Sequence, residues 1–156
     1  MTQGDSEAVL SLVRATGMFT PAEISVAQEL VEIYLGQPQQ TDYLLVVVEN
    51  DAGRVVGYMA YGPTPLSEGV YDLYWMAVAP GQQGRGHGKE LVRWLEEKVR
   101  DERGRLILIE TSSQPKYEGT RRFYISLGYQ EVSRIRDYYK PGDDRITYAK
   151  YFSPGQ

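Results

Sequence analysis

Four glycines, Gly81, Gly84, Gly86 and Gly88, fall within eight residues of the stretch "PGQQGRGHGKELVRWLEEKV", which then runs into an amphipathic helix. A chain that leaves a strand and enters a helix presents backbone N–H groups without intrahelical partners, and the helix dipole adds partial positive charge there. Glycines let such a backbone turn sharply and come close to an anion. The chemistry open to these residues is therefore phosphate or pyrophosphate binding. Spacing excludes two familiar forms of it. A P-loop needs Gly-x4-Gly-Lys-Ser/Thr, whereas Gly81 and Gly86 are followed by His87, and Lys89 by Glu90. The dinucleotide fingerprint Gly-x-Gly-x-x-Gly begins at Gly84 and Gly86 but meets Lys89 at its last position.

The elements that must position this segment are legible from pattern. Thr20-Pro21-Ala22-Glu23 reads as an N-cap, a proline at the first helical position and a capping-box glutamate, opening a helix through "AEISVAQELVEIYLG". A weaker helical pattern, with Val9, Leu12 and Val13 on one side, spans Ser6 to Thr16. "YLLVVVE" and "RVVGYMAY" flank Asn50-Asp51-Ala52-Gly53, a hairpin signal. After the loop "GPTPLSEG" comes a third strand, "VYDLYWMAVA", and the glycine segment follows it. The next helix sets Leu91, Val92, Leu95 and Val99 on one face. "RLILIE" is a short continuous apolar run, as expected of a strand buried on both faces and parallel to its neighbour, which completes a right-handed βαβ unit. "TRRFYISLG" predicts a short helix stopped by Gly128, and "YQEVSRIRDYY" and "RITYAKYF" predict two final strands around Pro141-Gly142-Asp143-Asp144. The order α α β β β α β α β β describes a mixed α/β protein, and the 156 residues predict one domain over 1–156.

Composition narrows the partners. With no cysteine there is no disulfide, no thiolate metal site and no cysteine acyl-enzyme. A net charge of −4 argues against a nucleic-acid backbone binder. No window approaches the roughly 20 apolar residues of a membrane span, and "MTQGDSEAVL" lacks the basic start and apolar run of a secretory signal, so the cytoplasm is the expected location.

Gln83-Gly84-Arg85-Gly86-His87-Gly88 fits Gln/Arg-x-x-Gly-x-Gly/Ala after a strand ending "MAVAP", and so resembles the acetyl-coenzyme A signature of the GNAT superfamily of N-acetyltransferases. "RRFYISLGYQEV" is similar to the family's later helix with its Phe-Tyr pair and Gly-aromatic step, and the order of elements from Tyr43 to Phe152 follows the family's. The chain departs at Tyr117, where many members have an asparagine seven residues before the helix tyrosine, and in the short stretch "MTQGD", where the family usually has a first strand. The resemblance implies a mostly antiparallel sheet with a central splayed parallel strand pair and flanking helices. It also implies direct transfer of acetyl from acetyl-coenzyme A to an amine, with no metal.

For individual residues, the resemblance implies that the amides from Gly84 to Lys89, including those of Arg85, Gly86, His87 and Gly88, cradle the pyrophosphate after Gln83. The backbone of Met76, Ala77 and Val78 would pair with the pantetheine arm, and the Val78 N–H would polarise the thioester carbonyl. His87 is the sole histidine, but its slot between two glycines suits an amide donor better than a base. Tyr124 matches the tyrosine that protonates the departing thiolate. Asp72 matches a general base of the histone-modifying branch, acting through water, while Glu110 at the end of "LILIE" could hold the substrate ammonium or act as base instead. Tyr74, with Tyr71, Trp75 and the Tyr138-Tyr139 pair, supplies aromatic surface for a cationic acceptor. The expected acceptor is a small-molecule primary amine. A protein lysine or N-terminal acetyltransferase, or a non-catalytic acyl-coenzyme A sensor on the same fold, are the alternatives. The aromatic last strands could also serve a homodimer.

Overall fold

The computed structural model describes residues 1–152, so the last four residues of the expected domain lie outside it. After a 3-10 turn at Gln3–Asp5 come helices α1 (Ser6–Ala15) and α2 (Pro21–Gly36), then strands β1 (Leu44–Glu49), β2 (Val55–Pro63) and β3 (Val70–Val78). Helix α3 (His87–Asp101), strand β4 (Leu106–Ser112), helix α4 (Glu118–Ser126) and strands β5 (Gln130–Lys140) and β6 (Asp143–Tyr151) complete the chain. The strand order is β1-β2-β3-β4-β6-β5, with β3 and β4 the parallel pair in a mostly antiparallel sheet. No strand precedes α1 among the described residues; the chain enters the fold through two helices. No described helix is long and apolar enough to cross a membrane.

Contacts gather into two units, the first comprising Met1–Pro63 and Tyr74–Glu97. Its core forms because Val9, Leu12 and Val13 on α1, and Ala27, Leu30 and Val31 on α2, recur at helical spacing and bury against Leu45, Tyr58, Ala60 and Ala77. The capping box is in place: Thr20 Oγ1 accepts from Glu23 N at 3.3 Å, and Glu23 Oε2 accepts from Thr20 N at 2.7 Å. The other face of β2 meets α3. A Cβ on Gly57 would stand 3.4 Å from Leu91 Cδ1, and the rings of Tyr61 and Trp94 meet edge to face at 5.7 Å.

The second unit comprises Thr64–Leu73 and the described residues from Lys98 onward. Here Val99, Ile107, Ile109, Tyr124, Tyr129, Ile146 and Tyr148 are buried. α3 ends with Arg103 in the left-handed region at φ +57°, and Gly104 N donates back to Val99 O at 2.7 Å. α4 ends at Gly128, φ +89°, where Tyr129 N donates to Tyr124 O at 3.1 Å. β4 departs from the expected burial on both faces: Ile107 and Ile109 are buried, but Leu106 and Leu108 only half so and Glu110 is exposed. Its even-numbered residues look onto a more open, polar face. β5 is exposed along its whole length, with Val132, Ile135, Tyr138 and Tyr139 presented to solvent.

Tyr58 is the odd member of the first core. It is 1% exposed, its hydroxyl has no partner among the described residues, and burial pushes its phenol well above the ordinary tyrosine range. An unpaired buried hydroxyl costs free energy that phenylalanine avoids. Tyr58→Phe is therefore expected to hold or raise stability by up to about 1 kcal/mol, read as the urea midpoint. A clear loss would show that the hydroxyl has a partner.

Candidate active site

The glycine segment is the junction of β3 and α3. Ala79 N donates to Val56 O at 2.8 Å, and Gln82 N to Ala79 O at 3.0 Å, which turns the chain out of the strand. Gly81, Gly84 and Gly86 then take φ values of +80°, +75° and +95°. No heavy atom lies within 4 Å of where a Cβ would stand on any of the three, so backbone conformation rather than crowding by the protein demands glycine. The first hydrogen bond of α3 runs from Glu90 N to Gly86 O at 2.9 Å. Ahead of it the consecutive amides of His87, Gly88 and Lys89 have no place in the helical ladder. Gln83 Nε2 reaches back to Val78 O at 3.4 Å, and the Arg85 and Lys89 side chains are exposed. Open space, amides without a backbone acceptor among the described residues, a helix N-terminus and two cations have the chemistry of a pyrophosphate cradle.

The edge of β3 leads into this cradle. Because Ala79 N–H points to β2 and successive amides of an extended chain point to opposite edges, the Val78 N–H lies on the edge that β2 does not use. Met76 and Val78 are half-buried, and Ala77 belongs to the core. Tyr74 packs its ring on Tyr43 at 5.5 Å and Trp75 on Phe19 at 5.3 Å, so both aromatic side chains are engaged in the packing of the first unit.

In the second unit, β3 and β4 pair in parallel from Val70↔Leu106 to Leu73↔Ile109. Glu110 is thus the first β4 residue beyond that ladder, and the two-residue period places Asp72, Leu108 and Glu110 on one face. Asp72 Oδ2 accepts from Thr64 Oγ1 at 2.7 Å. Glu110 Oε1 lies 3.6 Å from Arg145 Nε, and the Arg145 guanidinium carbon sits 4.4 Å over the Tyr138 ring. Burial, and then the Glu110 charge, raise the Tyr139 phenol above its ordinary range. Tyr124, on α4, is 4% exposed, its ring edge-on to Tyr129 at 6.0 Å. Burial pushes its phenol well above the ordinary range, so the group stays protonated and able to donate.

A polar knot sets the register of α4. Buried Asp143 accepts from Ser112 Oγ and from Gln114 Nε2, both at 2.5 Å. Arg121 Nη1 donates to Ser112 O at 2.8 Å and to Gln114 O at 3.0 Å, one helical turn before Tyr124. Desolvation alone would raise the Asp143 carboxyl, but the hydrogen bonds from Ser112 and Gln114 hold it below the usual range. Tyr117, at the family's asparagine place, closes the 3-10 turn Pro115–Tyr117 that leads into α4.

Residues 41–131 match the family model for the acetyltransferase (GNAT) domain. The chain belongs to the GNAT family of acetyltransferases. As a GNAT enzyme it is an acyltransferase that uses acetyl-coenzyme A as donor and an amine as acceptor. Among solved structures it is similar to a GNAT-family protein from Desulfovibrio desulfuricans, at 43% identity and a TM-score of 0.90, covering 96% of this chain and 93% of that one. It shares the fold of an aminoglycoside 6'-N-acetyltransferase complexed with coenzyme A, at 18% identity and a TM-score of 0.76, covering 99% and 94% of the two chains. Among curated proteins it is 33% identical over 99 residues to the N-alpha-acetyltransferase RimI of Mycobacterium tuberculosis, spanning 61% of this chain and 58% of that relative's length.

The GNAT signature and its neighbours were readable from spacing. Arg145 and Asp143 were not, because each acquires its role from a strand pairing with residues more than thirty positions away.

Two outcomes test this geometry. Gly86→Ala is expected to fold with a cost of about 1–2 kcal/mol, since only φ is strained. The same change is expected to weaken coenzyme A binding in calorimetry. Asp143→Asn is expected to lose about 1–3 kcal/mol at neutral pH. Because the folded carboxyl is held low, that stability exists above the unfolded carboxyl value and fades as pH falls through the folded one. Urea titrations across the acid range should show the gap to wild type closing.

Proposed function

We propose that this enzyme moves the acetyl group from acetyl-coenzyme A directly to the primary amine of a small molecule. The observation that supports the reading is the continuous run Met76–Lys89, where a strand that turns its Val78 amide away from β2 passes into a turn of left-handed glycines and a helix whose first three amides precede its hydrogen-bonded ladder. The donor supplies an activated thioester. In this reading the Val78 N–H donates to its carbonyl oxygen, Met76 and Ala77 supply backbone partners to the pantetheine arm, and Gly84 to Lys89 hold the pyrophosphate. Tyr124 gives the proton that the departing thiolate needs.

An alkylammonium group with a pKa near ~10 must lose a proton before it attacks. Two carboxylates of the same sheet face are candidates for taking it. Glu110 is half-exposed beyond the end of the parallel ladder, whereas Asp72 lies within the ladder and already accepts the Thr64 hydroxyl. This favours Glu110 as the group facing the amine, with Asp72 ordering the loop after β2. The half-exposed Glu110, with Arg145 and the Tyr138 ring beside it, is a recognition group on the scale of a small acceptor. The likeness to RimI supports a second reading, acetylation of protein N-termini.

Thiol release with amino acids, polyamines, aminoglycosides and peptides separates the readings. Turnover with small amines supports the first. Turnover confined to peptides replaces it with the second, and cofactor binding without any turnover leaves a sensor. Tyr124→Phe is expected to lower kcat on the order of 100-fold, with the KM for acetyl-coenzyme A near wild type. Unchanged kcat removes Tyr124 from the acid role.

A further inference from the structure

Arg145 is bonded out of keeping with its burial. Its side chain is 25% exposed and its Nε is shielded from solvent, yet among the described residues none of its five N–H donors makes a hydrogen bond. Its partners are the Glu110 carboxylate at 3.6 Å, too long for a hydrogen bond, and the face of Tyr138 at 4.4 Å. Stacking on the ring orients the guanidinium, and its planar fork matches a carboxylate or a phosphate bidentately. With its buried Nε lacking an acceptor among the described residues, the stacked guanidinium is open to an anionic group supplied by a ligand.

Strand register shows what else that ligand meets. Glu110 pairs with Thr147 and Ser112 with Arg145, so Glu110 and Arg145 are diagonal neighbours on one face. A carboxylate that faces an amine and a guanidinium that lacks an acceptor thus stand side by side. An α-amino acid carries both complements on one carbon, its nitrogen about 2.5 Å from its carboxyl carbon, which suits groups 3.6 Å apart. The half-exposed rings of Tyr138 and Tyr139 adjoin the pair and offer apolar surface to a side chain.

We propose that the acceptor is a free α-amino acid, held through its carboxylate by Arg145 and through its amino group by Glu110. The proposal rests on the reading of Glu110 as the acceptor-side carboxylate. The ammonium loses one proton to Glu110, and the neutral nitrogen forms a C–N bond to the acetyl carbon as the C–S bond breaks. The nitrogen loses its second proton, and Tyr124 protonates the thiolate. The products are an N-acetyl amino acid, coenzyme A and one proton released to water. A peptide N-terminus or an aminoglycoside has no carboxylate beside its amine and leaves Arg145 unfilled.

The test compares each of the common L-amino acids with its own carboxamide and with its glycine-extended dipeptide. Readouts are kcat/KM by thiol release and equilibrium binding by calorimetry to the full chain loaded with coenzyme A. The best amino acid is expected to exceed its carboxamide by at least ~10-fold in both. Arg145→Gln is expected to bring that ratio close to one, and Arg145→Lys, which keeps the charge but not the fork, to retain part of it. Equal handling of acid and carboxamide by the wild-type protein, preference for the dipeptide, or an undiminished ratio in Arg145→Gln overturns the proposal. If no amine releases thiol, the acetyl-transfer reading fails on its own, and the calorimetric ratio still decides whether Arg145 binds the carboxylate.

Discussion

The constraint on which the rest depends is the short parallel ladder of β3 and β4. It joins four residues of each strand and ends at Leu73 and Ile109, although both strands run on. Backbone amides are obligatory hydrogen-bonding groups, so a strand that outruns its ladder needs another partner. At Val78 the amide is turned away from β2, and the chain passes at once into a glycine turn whose following helix leaves its first three amides without a backbone acceptor among the described residues. One chain segment thus offers the Val78 amide and then the first amides of α3, the donors that the proposed reading assigns to an extended amide-bearing arm and its pyrophosphate.

The same ladder sorts the side chains of the second unit. Ile107, Ile109 and Thr111 turn to a buried face, while Asp72, Leu108 and Glu110 turn to the open one. Charged groups survive on that open face because solvent and one another compensate them. A buried carboxylate stands at Asp143, two residues before Arg145, where Ser112 and Gln114 meet it with short hydrogen bonds. That knot is the price of a sharp corner between β4 and α4, and it fixes where Tyr124 enters the core.

Element boundaries were largely legible in the sequence because each rests on a local rule. The capping box at Thr20, the Asn50–Gly53 hairpin, the α3 stripe and the stop at Gly128 need no distant residue to be understood. β4 was read less well: its unbroken apolar run suggested two buried faces, whereas only alternate residues are fully covered. An apolar run records composition, and burial depends on what the sheet faces.

The sequence by itself determined that a glycine turn of anion-binding type joins a strand to an amphipathic helix, since left-handed backbone and helix amides are properties of a few consecutive residues. It also determined the pairing of that turn with a later Phe-Tyr helix, and so the family. Tertiary structure alone decided that Asp72 and Glu110 share the open face, that Asp72 is occupied by Thr64, and that Arg145 stands beside Glu110 with its buried Nε unbonded among the described residues. These facts arise from strand register and from burial, which bring together residues that have no periodic relation along the chain.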